Sequence, residues 1–285
     1  MKGVIARLKG GLGNQLFIYA AALEFAEKLN AELKLDIYSG FWNDKYKRHF
    51  ELNLVGIKHP ALNVFQSVLI KLVVRFPILQ KMFACLVLTE KNYERSIVNL
   101  KKYRFLILDD YFQCEKFFNS VGTLLKSQIR IELPHDLRIR QISEKIEMCN
   151  AVCIHGRLLR AYASDGNKVS DSDPRTVGKE YFKQAIEKFK ERLTEPHFFI
   201  FSDKPEEMIQ SLELTSQECT LITHKFHQNS EVDLALMMKC RHFIIPNSTY
   251  SWWAAWLSRK PDTCISVPDA KYWDNPCLIE IGRMP

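Results

Sequence analysis

The sequence lacks the signatures of several common protein classes. It contains no C-x-x-C pair, and its eight cysteines are dispersed without the Cys/His spacing of a metal site. It contains no apolar run long enough to span a bilayer, and no signal peptide precedes the first apolar segment. We therefore expect a cytoplasmic protein with reduced, packed thiols and no metal centre.

The excess of basic residues comes without the features of a nucleic-acid-binding protein. The net charge is +7, but Lys and Arg are scattered along the chain, and no nucleic-acid-binding motif accompanies them. A net charge of this sign favours an anionic ligand or a negatively charged membrane surface. We expect no nucleic-acid partner and keep peripheral contact with the inner membrane face as an expectation.

Length and pattern predict two α/β domains. The chain has 285 residues, and apolar runs of strand length alternate with helical patterns in both halves. The pattern loosens around residues 133–150, where a Leu-Pro-His-Asp segment precedes a charged helix. We place the boundary there, which gives domains 1–148 and 149–285.

Three glycines in four residues follow the first predicted strand, residues 4–8. Gly10, Gly11 and Gly13 precede a helix predicted over residues 15–29. A nucleotide-binding α/β unit begins with this order of strand, glycine segment and helix. The segment is neither G-x-G-x-x-G nor a P-loop, so the glycines indicate a tight turn or a close approach of the backbone to a ligand.

Two further features of the first half each allow two interpretations. Asp36 lies near the end of the second predicted strand, where it either contacts a ligand or caps the next turn, and the cap is favoured. Residues 60–88 are apolar and basic and are interrupted at Pro77. They form either two core helices or a surface helix that lies on anionic lipid, and we favour the core helices.

Three strands of the second half end in polar residues with complementary chemistry. These residues are His155 and Arg157, Ser202 and Asp203, and Asn247 and Ser248. The carboxyl ends of parallel strands share one edge of a sheet, where ligands bind. Arg grips phosphate oxygens, a helix start supplies N–H donors, and Asp accepts from a ribose hydroxyl or a base N–H. Together they predict a site for a nucleoside diphosphate.

The third strand end leads into a helix rich in tryptophan. Asn247, Ser248, Thr249 and Ser251 include the residue types that cap a helix start, where the helix dipole also attracts an anion. Three of the five tryptophans follow within the next apolar segment, at positions 252, 253 and 256. We predict that the tryptophans fix the helix in the core while its polar start faces the diphosphate.

Three motifs carry a resemblance to a known family. They are Gly10-Gly11-Leu12-Gly13-Asn14-Gln15-Leu16-Phe17, Phe201-Ser202-Asp203 and Asn247-Ser248-Thr249-Tyr250-Ser251-Trp252-Trp253-Ala254-Ala255-Trp256. Similar residues also match at Asp36, Tyr111-Phe112-Gln113 and Asp233-Leu234. Over essentially its whole length the chain resembles the bacterial α-1,2-fucosyltransferases. One motif departs, because the family's His-x-Arg-Arg-x-Asp reads His155-Gly156-Arg157-Leu158-Leu159-Arg160 here.

The resemblance implies a fold and a reaction. The fold is α/β and GT-B-like, with two facing Rossmann-like domains and the donor site in the cleft. The reaction is inverting transfer of L-fucose from GDP-fucose to a glycan hydroxyl, such as O-2 of a galactoside, with no required metal or other cofactor. The acceptor is expected to be a lipid-linked glycan, such as an O-antigen repeat, at the inner membrane face. The altered motif leaves two alternatives: transfer of another GDP-6-deoxysugar, and a catalytically silent glycan- or nucleotide-binding protein.

The resemblance and the chemistry of the strand ends together lead us to predict roles for individual residues. Arg157 would grip the leaving diphosphate, His155 would orient Arg157 or touch the phosphate, and Asp36 or Asp165 would serve as the base. The expected donor-binding residues are Gly11, Gly13, Asn14, Gln15, Ser202, Asp203, Asn247, Ser248, Thr249 and Ser251. Residues 171–173 spell D-x-D, a metal motif of the other large glycosyltransferase fold, but they lie in a Ser/Asp/Gly segment typical of a solvated loop.

Overall fold

The computed structural model describes residues 2–156, 177–202, 205–223, 230–273 and 275–282. These residues form two compact units, Met1–Arg130 and Ile131–Pro285. Each unit contains a wholly parallel sheet with helices between successive strands. This confirms the predicted α/β class and a Rossmann-like organisation of each unit.

The first unit has a four-stranded sheet in the order β2-β1-β4-β3. Its elements are β1 (Gly3–Arg7), α1 (Leu12–Leu29), β2 (Glu32–Asp36), α2 (Val64–Arg75), α3 (Pro77–Met82), β3 (Cys85–Leu88), α4 (Tyr93–Ser96), β4 (Phe105–Leu108) and α5 (Gly122–Gln128). The centre of the sheet is buried, because Val4 of β1 and its partner Leu106 of β4 are both fully covered. The apolar helix α1 packs against β1 and buries most of its length.

The second unit has a five-stranded sheet in the order β7-β6-β5-β8-β9. Its elements are α6 (Leu137–Met148), β5 (Asn150–Gly156), α7 (Lys179–Arg192), β6 (Pro196–Ser202), α8 (Pro205–Leu212), β7 (Cys219–Ile222), α9 (Ser230–Lys239), β8 (His242–Ile244), α10 (Thr249–Ser258) and β9 (Ile265–Ser266). The central strands are continuous apolar runs, as expected of a parallel sheet covered on both faces. Phe182, Ile186 and Phe189 of α7 join one cluster with β5 and β6.

The division between the units falls at residues 130 and 131 rather than at 148 and 149. The intervening helix α6 packs against β5 and α9 of the second unit. It buries Ile139, Ser143 and Ile146. The helix that we took as the end of the first domain is therefore the first helix of the second unit.

The segment 60–88 forms two helices as predicted, but only one side of them lies in the core. Ile70 and Val73 of α2 join a core cluster of the first unit, and Leu79 of α3 packs against it. The break falls at Pro77 as predicted, because Pro begins α3 and its ring favours the first turn of a helix. However, α2 buries only Ser67, Ile70 and Val73, and α3 buries no residue. Among the helices in the described part of the chain, none is both long and apolar enough to cross a membrane.

Candidate active site

The carboxyl edge of the five-stranded sheet gathers the ends of β5, β6 and β8. Gly156 is paired with Ser202, and Ile154 is paired with Ile244. The imidazole of His155 lies 5.8 Å, centroid to centroid, from the ring of Tyr250 in the first turn of α10. The end of β5 therefore lies beside the start of α10.

The helix α10 starts at a buried serine whose side chain makes no capping bond. Ser248 occupies the N-cap position with an extended backbone, φ −126° and ψ 121°. The residue is 1% exposed, and its Oγ has no hydrogen-bond partner among the described residues. A buried hydroxyl left in this state costs about 1–3 kcal/mol. The helix start, which carries the positive end of the helix dipole, thus holds a buried hydroxyl that bonds to no described residue.

Two other polar residues of this stretch, Asn247 and Ser251, bond within the protein. The side-chain amide of Asn247 donates to the backbone carbonyl of Tyr272. Ser251 is fully buried, and its hydroxyl points at the carbonyl of Ser248, 3.5 Å away. Thr249 is half-buried at the first helical position. Asn247 and Ser251 therefore shape the helix start, where we had expected direct contacts to the donor.

A tyrosine that the sequence analysis missed holds the strand before this helix. The hydroxyl of Tyr181 donates to the carbonyl of Ile245 at 2.8 Å, and it lies 3.3 Å from Ser266 Oγ. Burial raises the pKa of Tyr181, so its hydroxyl stays a donor. Tyr181 lies on α7, far away in the sequence and next to the core residue Phe182, so nothing in the sequence pattern distinguished it from packing.

The tryptophans of α10 form the predicted core contact. The rings of Trp252 and Trp253 lie 5.3 Å apart, and those of Trp253 and Trp256 lie 5.2 Å apart, both edge to face. The indole N–H of Trp252 donates to the carbonyl of Leu278 at 3.1 Å. This packing fixes the helix and thereby the position of its polar start.

Several predicted residues lie outside the described part of the chain. They are Arg157, Asp203, the second base candidate Asp165 and the D-x-D segment 171–173. In the sequence, Arg157 directly follows the end of β5 and Asp203 directly follows the end of β6. Their roles stay predictions.

In the first unit, the glycine segment turns directly into α1. Gly10 has a φ of +75°, and a Cβ at this position would lie 2.7 Å from Asn14 Nδ2. Gly11 is the N-cap, and α1 begins at Leu12 rather than at residue 15 as predicted. Gly13 and Asn14 are consequently part of the first helical turn.

The side chain of Gln15 bonds to the protein backbone, where we predicted a contact to the donor. Its side chain is fully buried, and its amide nitrogen donates to the carbonyls of Gly10 at 2.9 Å and His49 at 2.8 Å. Its amide oxygen accepts from the N–H of Glu51 at 2.9 Å. Gln15 thus fastens the glycine segment to residues 49–51, which positions the backbone of Gly10 and Gly11.

Asn14 is tied to the segment that follows β4. Gln113 Nε2 donates to Asn14 Oδ1 at 2.8 Å, and the N–H of Gln113 donates to Glu90 Oε1 at 3.2 Å. Burial, reinforced by the nearby Asp110 carboxylate, raises the pKa of Glu90. The family-like residues at 14 and 113 therefore meet at the same edge of the sheet, because β1 and β4 are adjacent.

A charged cluster lies at this edge beside the glycine segment. Asp109 Oδ1 accepts from Arg7 Nη1 at 2.6 Å and from Lys9 Nζ at 3.1 Å. Arg7 also donates from Nε to Ser39 Oγ at 2.8 Å. Since Lys9 Nζ lies 5.4 Å from the ring centroid of Tyr111, the cluster extends along the edge to the segment after β4.

Asp36 belongs to this cluster as a turn-capping carboxylate. It is fully buried, and its Oδ1 accepts from the N–H groups of Tyr38 at 3.2 Å and Ser39 at 3.0 Å. Its Oδ2 accepts from the hydroxyl of Ser39. This geometry matches the favoured interpretation of Asp36 as a cap. It gives no support to a general base, which needs an accessible oxygen.

Within the described residues, no group of three or more His, Cys, Asp or Glu side chains could hold a metal ion. All eight cysteines are free thiols. The polar groups at the two sheet edges include hydroxyls, amides and helix N-termini, and the first edge also has the cations Arg7 and Lys9, which are paired with Asp109. These groups are suited to oxygen-rich anionic ligands such as phosphorylated sugars.

Two Rossmann-like units with polar carboxyl edges are an architecture shared by several enzyme classes, of which the GT-B glycosyltransferases are one. A comparison with protein families gives the assignment directly: the model of Glycosyl transferase family 11 matches residues 3–275, and the chain belongs to this family. The protein is therefore a glycosyltransferase, and its fold is GT-B-like.

The chain is similar to two curated proteins of Escherichia coli over most of its length. An alpha-1,2-colitosyltransferase is 27% identical over 100% of this chain and 97% of its own length. The O-antigen biosynthesis glycosyltransferase WbnK is also 27% identical, over 92% of both chains. Among solved structures, a mutant of Arabidopsis thaliana FUT1 in complex with GDP aligns with a TM-score of 0.56 at 13% identity, over 95% of this chain and 71% of its own. This structural likeness supports the fold.

Proposed function

We propose that this glycosyltransferase moves L-fucose from GDP-fucose, with inversion, to the O-2 hydroxyl of a galactoside in a surface glycan. The residue motifs that resemble α-1,2-fucosyltransferases support the donor and the linkage. The name of the related O-antigen biosynthesis glycosyltransferase supports the class of acceptor. The observation that carries the proposal is the Ser248 hydroxyl at the start of α10, which has no hydrogen-bond partner within the described residues and lies beside the end of β5.

The chemistry proposed for this edge is stabilisation of a leaving diphosphate. As the acceptor hydroxyl attacks the anomeric carbon, the bond to the β-phosphate breaks and negative charge builds on its oxygens. The N–H groups of α10 and the Ser248 hydroxyl would donate to these oxygens, and Arg157 would approach them from the end of β5. Fixed donors aimed at developing charge contribute roughly 3–4 kcal/mol each to lowering such barriers.

We propose that this edge replaces a metal ion. A cation and a helix start supply the positive field that a divalent metal supplies elsewhere. Turnover should therefore persist in EDTA, and a requirement for added Mg²⁺ or Mn²⁺ would contradict this part of the proposal.

The acceptor hydroxyl needs only weak assistance if the transition state has oxocarbenium character. With Asp36 capping a turn, Asp165 is the remaining candidate for the base. Asp165→Asn should lower turnover with little effect on the affinity for GDP, and unchanged turnover would remove it from the mechanism. Asp36→Asn should act mainly through stability, because the amide keeps one oxygen for the N–H groups of residues 38 and 39 but replaces Oδ2, which accepts from the Ser39 hydroxyl.

Transfer of colitose from GDP-colitose is the second candidate function. A related protein that covers the whole chain is an α-1,2-colitosyltransferase. Colitose is a 6-deoxysugar that lacks the 3-hydroxyl of fucose, so one changed contact in the donor site can separate the two. We propose that the departure from the family motif at Leu158 and Arg160 supplies such a change.

A donor panel separates these candidates. GDP release and transfer are measured with GDP-fucose, GDP-colitose and GDP-mannose against one set of galactoside acceptors. The proposal expects the highest kcat/KM with GDP-fucose, whereas the second candidate expects it with GDP-colitose. If calorimetry shows GDP binding but neither sugar is transferred to any acceptor, the protein is a catalytically silent binder of the same fold.

Arg157→Ala tests the proposed cation, with the exposed Lys188→Ala as a control that removes an equal charge. The loss of Arg157 should lower kcat by at least about a hundredfold, since charged donors to a developing anion contribute that much. Lys188→Ala should leave turnover unchanged. Equal turnover in both variants would remove Arg157 from the mechanism.

A further inference from the structure

The helix pair α2–α3 presents apolar side chains to solvent. The side of α2 that faces the sheet carries Ser67, Ile70 and Val73. We define the apolar stripe as Phe65, Leu69, Leu72, Phe76, Ile78 and Met82, all of them exposed. Phe65 is 86% exposed and Ile78 is 75% exposed. A helix on the surface of a globular domain normally places polar residues on this side, so the stripe is suited to a second apolar environment.

The same segment carries positive charge without any negative charge. Residues 52–89 contain no Asp or Glu. The cations around the stripe are Lys71 on α2, Arg75 at the end of α2 and Lys81 on α3. Lys71 Nζ lies 4.7 Å from the ring centroid of Trp42, which is itself 40% exposed. Apolar and basic side chains together favour an anionic surface that also has an apolar interior.

An apolar crevice of about 230 Å³ opens beside α2. It is lined by Leu69 of the stripe, by Ile70 and Val73 below it, and by Phe83 and Phe105. The charged residues in its lining, Glu32 and Lys34, are paired with each other at 3.3 Å. A crevice of this character accepts hydrocarbon, and it lies toward the amino ends of the strands, opposite the carboxyl edge of the same sheet.

We propose that the apolar stripe is the surface by which this protein docks on a bilayer containing anionic phospholipid. The stripe enters the boundary between headgroups and acyl chains, while Lys71, Arg75 and Lys81 contact lipid phosphates. Apolar insertion and electrostatic attraction are both needed. Insertion of a few apolar side chains alone gives only weak membrane binding, and a basic patch makes the attachment stable. The proposal depends on neither the identity of the donor nor that of the acceptor.

Co-sedimentation of the full chain with vesicles tests this docking surface. Vesicles of phosphatidylcholine alone are compared with vesicles containing about 30% phosphatidylglycerol, at low and at raised salt. The wild type should bind the anionic vesicles and be released by salt. Arg75→Glu should weaken this binding by at least about fivefold, the share of one interfacial cation. Phe65→Glu should weaken it at least as much at both salt concentrations.

Matched controls separate this surface from general effects of charge. Met148→Glu replaces a residue that is 87% exposed in the second unit, and it changes the net charge by as much as Phe65→Glu does. It should bind vesicles like the wild type, as should Lys188→Glu, the control for Arg75→Glu. Equal weakening by the control variants would overturn the proposal, as would equal binding of the wild type to both kinds of vesicle. Light scattering that shows a dimer abolished by Phe65→Glu would instead assign the stripe to contact between copies.

Discussion

Removal of the Ser248 hydroxyl should move stability and donor binding in opposite directions. The hydroxyl is buried and has no hydrogen-bond partner within the described residues, so Ser248→Ala removes a desolvated polar group without breaking a bond. The usual cost of losing an N-cap does not apply, because the side chain makes no capping bond. We therefore expect the free energy of unfolding to rise by about 1 kcal/mol.

The effect on donor binding follows from the proposed contact to the diphosphate. A hydrogen bond to a charged group contributes about 1.5–3 kcal/mol, so the Kd for GDP should rise by about 10- to 150-fold in Ser248→Ala. Calorimetric titration with GDP measures the affinity, and denaturant unfolding of the free protein measures the stability. A variant that gains stability and loses ligand binding when a polar group is removed is characteristic of a group that serves function.

Ser67→Ala is the matched control for this experiment. The Ser67 hydroxyl is also buried without a partner among the described residues, but it lies in α2 and faces the core of the first unit. Ser67→Ala should raise stability by a similar amount and leave the affinity for GDP unchanged. The reasoning is refuted if Ser248→Ala binds GDP like the wild type, or if it loses stability as a normal capping residue would.

Three further perturbations have expected outcomes of their own. Gln15→Leu removes the side chain that bonds the carbonyl of Gly10 and the N–H of Glu51. Denaturant unfolding should show that the free energy of unfolding falls by about 3 kcal/mol. A fall below about 1 kcal/mol would contradict this role of Gln15. Gly10→Ala forces a side chain into a left-handed conformation and should cost about 1–2 kcal/mol in the same assay; unchanged stability would show that the turn relaxes. Burial, with Arg241 nearby, lowers the pKa of His242 to about 4. Between about pH 6.5 and pH 4 the imidazole is therefore protonated in the unfolded chain but still neutral in the folded protein. The free energy of unfolding should consequently fall as the pH drops through this range. Over this range the free energy of unfolding of His242→Gln should fall by up to about 3 kcal/mol less than that of the wild type. Parallel curves of unfolding free energy against pH for the two proteins would remove His242 as the cause.

The alternation of strands and helices could be predicted because parallel strands are continuous apolar runs. The meeting of three strand ends in the second unit followed from the same rule, since parallel strands end at one edge. The packing of the tryptophans was also predictable, because an apolar helix after a buried strand has nowhere else to lie.

The roles of Gln15 and Asp36 could not be read from the sequence. An amide or a carboxylate after a strand is equally suited to a ligand and to the backbone of the next turn, and the choice depends on where a distant segment passes. For Gln15 that segment is residues 49–51, which lie more than thirty positions away. The glycine motif thus located the edge of the sheet correctly. It did not show which of its residues contact a ligand and which ones hold the backbone in place.

The packing partners of α2 and α6 could not be predicted from the sequence for a related reason. An apolar pattern shows that a helix has something to cover but does not identify the partner. In α6, Ile139 and Ile146 pack in the second unit although the helix precedes its first strand. In α2, two apolar faces suggested a core helix, whereas one of them is exposed.

The most direct test of the proposed function is the structure of the product. The protein is incubated with GDP-β-L-fucose and a β-galactoside, and the new linkage is determined by NMR. We predict fucose on O-2 of the galactose with a small H1–H2 coupling, which marks the α-anomer formed by inversion. A β-linked product would contradict inversion, and GDP-fucose left unconsumed with every galactoside would contradict the donor assignment itself.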